Sequence, residues 1–203
     1  ASALMQGLSD GYFVIPYTMQ NYLSDQIQVP HIDTKAPEFD AAEKAVQAEI
    51  DRIYNIKGDE SVDHIHKKLY HIMWDYVGMA RNEAGLKKAL AMLKDIRKEF
   101  NEHVRIPGDK EGLNTELDKA IHLRDFITMG ELIAYDALER KESCGGHFRE
   151  ESQTEEGEAK RDDENFMYVA CWQYQGSDDV APTLLKEPLD YQYIKVQVRN
   201  YKK

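Results

Sequence analysis

Successive stretches between Ser61 and Arg140 carry apolar residues at a spacing near 3.6, and no other feature constrains the fold of this chain so tightly. The stretch starting near Ser61 aligns Val62, Ile65, Leu69, Ile72, Met73 and Tyr76, with Gly78 and Asn82 weakening its end. The next, Glu83 to about Asn101, gathers Leu86, Ala89, Leu90, Leu93, Ile96 and Phe100 before Pro107 interrupts. A long one from about Leu113 to Arg140 sets Leu117, Ile121, Ile127, Leu132 and Leu138 along a seam. Ahead of these, a helix beginning near Pro37 places Phe39, Ala42, Val46, Ile50 and Ile53 on one stripe, with Gly58 as its stop. Burying one Leu- or Ile-sized side chain is worth about 1.5–3 kcal/mol, so such stripes pack together rather than face water. Short connections favour antiparallel neighbours, and the expected fold is mainly α: an antiparallel three- to four-helix bundle over residues 36–141.

A C-terminal extension, residues 142–203, is different in kind. Residues 142–164 carry nine acids against three bases, whereas Tyr191–Lys203 carry four bases and no acid, which reads as an acidic loop and a basic tail. Phe166–Tyr174 and Tyr191–Val198 are rich in Tyr, Val and other strand formers and are expected to be two short β-strands, with Gly176-Ser177-Asp178-Asp179 and Pro182 between them. At the other end, Ala1 to Leu8 is an apolar segment with nothing of its own to pack on. Asp10-Gly11 is a turn signal, Pro16 suits the first position of a helix running through Leu23, and Pro30 ends the region.

A formal net charge of −11 opposes nonspecific nucleic-acid binding, which depends on basic side chains displacing counterions from phosphates. There is no run of 18 apolar residues and no basic-then-apolar leader, so neither direct membrane insertion nor export is expected and the reading is cytoplasmic. The two cysteines, Cys144 and Cys171, do not make a disulfide framework and are expected as free thiols.

Each candidate for chemistry meets a plainer explanation. His64 and His66 lie two apart, about 200° around a helix, and cannot share a ligand face; with His71 they read as surface histidines and not as a metal site. Cys144 and His147 are close in sequence, but a nucleophile and base are set by spatial geometry, and a thiol in a packed turn is the simpler reading. Gly145-Gly146 lacks the strand–turn–helix context of a phosphate loop. Glu142, Arg149, Arg161, Asp162 and Asp163 read as a structural ion-pair network, and Met73-Trp74 and Trp172 as core aromatic positions. No residue is assigned a catalytic or metal-binding role.

Several separated motifs do point to a family. Arg140-Lys141-Glu142-Ser143-Cys144-Gly145-Gly146-His147-Phe148-Arg149-Glu150-Glu151, then Arg161-Asp162-Asp163-Glu164-Asn165-Phe166, resemble the C-terminal domain of the flavoprotein subunit of succinate dehydrogenases and fumarate reductases. That family reads Arg-Lys-Glu-Ser-Arg-Gly-Ala-His-x-Arg-Glu-Asp and Arg-Asp-Asp-Glu-Asn-Trp at these places. His71 to Asn82, followed by Glu83-Ala84-Gly85-Leu86, resembles its Met-Trp-x-x-Val-Gly-x-x-Arg-x segment and the next helix start. Met19 to Asp25, and Leu185-Lys186-Glu187-Pro188-Leu189 with Asn200-Tyr201-Lys202, are similar to the non-mitochondrial bacterial branch. Cys144 stands where other members carry Arg, which leaves open any ion pair that Arg makes with a neighbouring domain or subunit.

The resemblance implies the C-terminal helical domain of a subunit interconverting fumarate and succinate, with residues 1–30 the remnant of the end of its FAD domain. Apolar residues there, notably Leu4, Leu8, Phe13 and Ile15, are expected to face that domain. Ala3 and Leu4 fall at the family's Ser-Leu pair, whose backbone touches the flavin ring; a backbone donor does not depend on the Ser side chain. FAD is therefore implied for the intact subunit and none for this stretch alone. The implied partners are the FAD domain, an iron–sulfur subunit and a membrane anchor subunit, placing the protein peripheral to the inner membrane. Related flavoproteins such as L-aspartate oxidase or adenylylsulfate reductase, and an independent helical interaction module, are the alternatives.

Overall fold

The small residues of one helix decide how closely the others approach it. The computed structural model describes residues 2–110 and 112–197, the side chain of Ser2 excepted. Ala1 and the basic tail from Arg199 onward, with its Asn200-Tyr201-Lys202, lie outside the described residues. The chain divides between Gln47 and Ala48 into two units.

In the first unit, α1 (Ser2–Ser9) leads into a π-helical turn (Asp10–Val14) and α2 (Ile15–Leu23). The turn expected at Asp10-Gly11 is instead helix: the Ile15 N–H reaches back to the Asp10 carbonyl, five residues away. Pro16 has no N–H, and the widened turn just before it accommodates the missing helical bond. Leu4, Leu8, Phe13 and Ile15 are exposed, Leu4 at 72%.

Helix α3 (Pro37–Tyr54) keeps the expected start but not the expected stripe. Phe39 and Val46 are exposed, and only Ile53 is buried. Its stop is not Gly58 either. The helix ends at Tyr54, and Gly58 serves a close approach: a Cβ there would lie 1.9 Å from the His103 carbonyl oxygen.

In the second unit β1 (Glu60–Ser61) pairs in parallel with β2 (Val104–Arg105), a pairing the sequence did not suggest. Between them run α4 (Val62–Val77) and α5 (Glu83–His103), so the parallel pairing sets the start of α4 beside the end of α5 and makes the helices antiparallel. Helix α6 (Thr115–Glu139) packs on both. Each helix starts on a side-chain cap: Ser61 accepts from the His64 N–H, Asn82 from Gly85, and Asn114 from Glu116 and Leu117.

The core gathers Val62, Ile65, Leu69 and Ile72 with Leu86, Leu93, Ile96 and Phe100. Against them α6 buries Ala120, Leu123, Ile127, Gly130, Ala134 and Ala137. That small-residue seam differs from the larger one expected, in which only Ile127 is buried. A Cβ on Gly130 would sit 3.1 Å from Met73 Sδ. Met73 is half-buried against the core, but Trp74 is not a core residue: it is 69% exposed and stacks on Tyr70.

Beyond the bundle come α7 (Asp163–Phe166), β3 (Tyr168–Gln173) and β4 (Thr183–Pro188). The last two pair antiparallel with Tyr168 opposite Pro188 and Gln173 opposite Thr183. The expected second strand, Tyr191–Val198, is not one over its described residues, 191–197. Tertiary anchors override its stronger local propensity. Asp178 is held by Arg97 at 2.9 Å, which turns the chain back, and Lys186 reaches Glu139 at 3.2 Å and lies 4.4 Å above the Tyr168 ring.

Substituting Gly58→Ala is expected to destabilise the chain by about 1–3 kcal/mol, because the new methyl meets backbone and not a yielding side chain. Gly146→Ala, with open space around its Cβ, is expected to stay within about 0.5 kcal/mol of the parent. Urea unfolding monitored by circular dichroism checks both, and equal losses would refute the role given to Gly58.

Candidate functional site

The richest cluster of polar side chains lies where α6 ends. The last carbonyls of any helix have no intrahelical donor, and its C-terminus carries partial negative charge. Two arginines answer this. Arg149, only 2% exposed, donates from Nη1 to the carbonyls of Ala137 at 2.9 Å and Leu138 at 3.2 Å. Arg140 closes the helix with its N–H on Asp136 and donates from its guanidinium to Glu142 Oε1 at 2.9 Å and to the carbonyls of Phe166 and Tyr168.

Arg149 returns to the helix end because the chain reverses sharply before it. Cys144 and His147 exchange backbone hydrogen bonds across Gly145-Gly146, with Gly145 at φ +59, where glycine is favoured. The fully buried Ser143 hydroxyl then locks the two arms: it accepts from the Arg149 N–H at 2.8 Å and donates to the Arg149 carbonyl at 3.2 Å. Buried Glu142 accepts the Asp162 N–H at 2.8 Å, joining the following loop to the same cluster.

The segment next reaches the joint between α4 and α5. Arg81 donates its N–H to the Phe148 carbonyl and accepts from the Glu150 N–H, a parallel bridge to Arg149. Its Nε donates to the last carbonyls of α4, Val77 and Gly78, both at 3.0 Å, and its Nη1 to His147 Nδ1 at 2.8 Å. Glu151 Oε1 accepts the Glu83 N–H at 2.6 Å, and Glu150 Oε2 accepts from Asn82 Nδ2 at 2.7 Å. Both acids thus sit at the positive end of α5. Burial opposes ionisation of Glu151, but the Glu83 N–H and the Arg149 guanidinium outweigh it and hold the carboxyl below its usual range. Burial also lowers the Arg81 pKa, against the attraction of Asp136.

The residues singled out from sequence are placed as follows. Glu142, Arg149 and Asp162 share the cluster, while Arg161 pairs with Asp163 at 2.9 Å; the expected network is thus a set of local pairs joined through backbone. Both His147 nitrogens are engaged, Nδ1 by Arg81 and Nε2 by the Arg140 carbonyl at 2.8 Å, so neither is available to a Cys144 thiol. Cys144 and Cys171 are free thiols, and Cys144 is exposed and not packed. His64, His66 and His71 lie on the surface of α4. Trp172 is half-buried, donating to Asp136 at 3.0 Å.

Ala3 and Leu4 lie in the first turn of α1. Sequence reasoning did not single out Arg81, Arg140 or Ser143, although each stands in a motif. It also missed Arg97, which binds Glu131 at 2.6 Å and Asp178 at 2.9 Å beside a cavity of about 200 Å³ lined by Tyr135, Trp172 and Pro182. A cationic residue at a core position of a helical stripe was the available signal.

Residues 66–201 match the family described as fumarate reductase flavoprotein C-term. The chain is 36% identical over 110 residues to an uncharacterized FAD-dependent oxidoreductase of Methanocaldococcus jannaschii, covering 54% of this chain and 19% of that one. It is 30% identical over 132 residues to the fumarate reductase flavoprotein subunit of Proteus vulgaris, covering 65% and 21%, and 28% identical over 116 residues to an L-aspartate oxidase of Yersinia pestis, covering 57% and 20%. It thus spans about a fifth of the length of these relatives. Among solved structures, a mutated FrdA chain of Escherichia coli quinol fumarate reductase superposes with a TM-score of 0.66 at 25% identity, covering 83% of this chain and 27% of that one. An adenosine-5-phosphosulfate reductase shares the fold at a TM-score of 0.60 and 17% identity, covering 88% and 28%.

Replacing Arg149 by Met keeps its stem but leaves buried carbonyls of α6 without a donor. A loss of about 1–3 kcal/mol is expected. Arg149→Lys is expected to recover little of it, because an ammonium cannot serve two carbonyls and Glu151 from one planar fork. Chemical denaturation decides, and a Lys variant as stable as the parent would contradict this role for the guanidinium.

Proposed function

Because the chain belongs to the family of fumarate reductase flavoprotein C-terminal domains, we propose that it is the helical C-terminal part of a flavoprotein subunit that interconverts fumarate and succinate. The observation carrying this reading is that the family match runs through most of α4, all of α5 and α6, the arginine cluster at the end of α6 and the β3–β4 hairpin. The similarity to the quinol fumarate reductase chain supports it further.

In the intact subunit FAD supplies the hydride exchanged with the dicarboxylate. Ala3 and Leu4 would contribute backbone N–H donors to it, and residues 1–30 would be the end of the FAD domain. The exposed Leu4, Leu8, Phe13 and Ile15 would be covered by the rest of that domain. Among the described residues no helix is long and apolar enough to cross a membrane. Electrons would pass through an iron–sulfur subunit to or from a quinone, with a membrane anchor subunit holding the assembly at the cytoplasmic side of the inner membrane. This part of the subunit contributes rigidity and docking surface, and the residues that transform the substrate would be supplied by the remainder. L-aspartate oxidase chemistry is the weaker reading, because the Proteus relative matches a longer stretch at higher identity than the Yersinia one.

The 203-residue chain, purified alone, is expected to show no flavin absorption band and no fumarate reduction with an artificial electron donor. Fused behind a complete FAD domain of its own subunit, it is expected to accompany both. A yellow, active preparation of the isolated chain would overturn the proposal.

A further inference from the structure

His147 stands between the Arg81 guanidinium and the Arg140 backbone carbonyl in a way that leaves it one stable form. Its Nε2 lies 2.8 Å from the Arg140 carbonyl, which can only accept, so Nε2 carries a proton. Its Nδ1 lies 2.8 Å from Arg81 Nη1, which can only donate, so Nδ1 carries none. The imidazole is therefore neutral and of fixed tautomer, and it bridges the end of α6 to the joint between α4 and α5.

We propose that His147 is a proton-operated catch for this joint: uptake of one solvent proton at Nδ1 abolishes the bond from Arg81 and parts the segment 147–151 from residues 81–83. The charged groups facing the ring set the response. Arg81 on the α4–α5 connection and Arg149 on its own segment repel an imidazolium, and Asp136 on α6 attracts it. Asp136 is already engaged by Trp172, and Arg81 is the group in direct contact. Burial lowers the His147 pKa first of all, and the two arginines add to this against the Arg140 carbonyl and Asp136.

Release would be felt beyond the ring. The Arg81–Phe148 and Glu150–Arg81 backbone bonds and the hold of Glu150 and Glu151 on the α5 N-terminus all follow directly in sequence. The inference rests on this geometry alone and is independent of the flavoprotein reading. The sign follows from linkage: a group depressed on folding binds its proton more readily in the unfolded chain. Stability is then full above about pH 6.5 and falls as pH drops below it.

Histidine ¹⁵N correlation spectra of the 203-residue chain, recorded from neutral to mildly acidic pH, test the catch. At neutral pH His147 is expected neutral with its proton on Nε2. On acidification its Nδ1 should protonate below about pH 6.5, with the Arg81 and Glu150 amide signals moving at the same midpoint. In parallel, the unfolding constant of the parent should rise by up to tenfold per pH unit below that value, and His147→Gln, which keeps a donor and an acceptor without titrating, should lose that part of the slope. An imidazolium at neutral pH, a proton on Nδ1, Arg81 and Glu150 amides indifferent to the titration, or an unchanged slope in the variant would each overturn the proposal.

Discussion

The buried guanidinium of Arg149 holds the helix ends of the second unit in register. Arg149 lies at the carbonyl end of α6, where the partial negative charge of the helix terminus offsets part of the cost of removing a cation from water. Its Nε binds Glu151 at 3.0 Å, and Glu151 in turn caps α5 through the Glu83 N–H. The negative end of one helix is thereby tied to the positive end of the next through two adjacent side chains. Ser143 fixes the Arg149 backbone, and Arg81 extends the same pattern to the end of α4.

This explains why the charged motif sits where the apolar pattern stops. Ala120, Gly130, Ala134 and Ala137 let α6 lie close to its neighbours, but such small residues bury little apolar area each and contribute correspondingly little. The arginine cluster supplies the order that a thin seam does not. Membership of the fumarate reductase flavoprotein C-terminal family fits this division, with a helical support closed by polar clamps.

The bundle was largely legible because α4 and α5 are amphipathic with large residues at the core positions, and Leu86, Leu93 and Phe100 announce one face. Helix α6 was legible in extent but only partly in face, since its buried side mixes Leu123 and Ile127 with alanine and glycine, while Leu117, Ile121, Leu132 and Leu138 lie at the flanks. Phe39 and Val46 show the opposite failure: a correct period whose stripe is exposed in this structure. The second strand was misplaced because Arg97 and Lys186 act across 81 and 47 residues of sequence, and local propensity carries no trace of such contacts. The motif around Arg149 marked the family, yet that Ser143 and Arg81 organise it depends on atoms brought together only by folding.

Native-state hydrogen exchange of the 203-residue chain at neutral pH tests the central claim most directly. The amides of Arg81, Ser143, Arg149 and Glu150 are expected to exchange only with the global opening that frees the α5 and α6 core amides, despite lying outside any long helix or strand. Fast exchange at these four positions, with the helices still protected, would show that the cluster decorates the bundle without holding it.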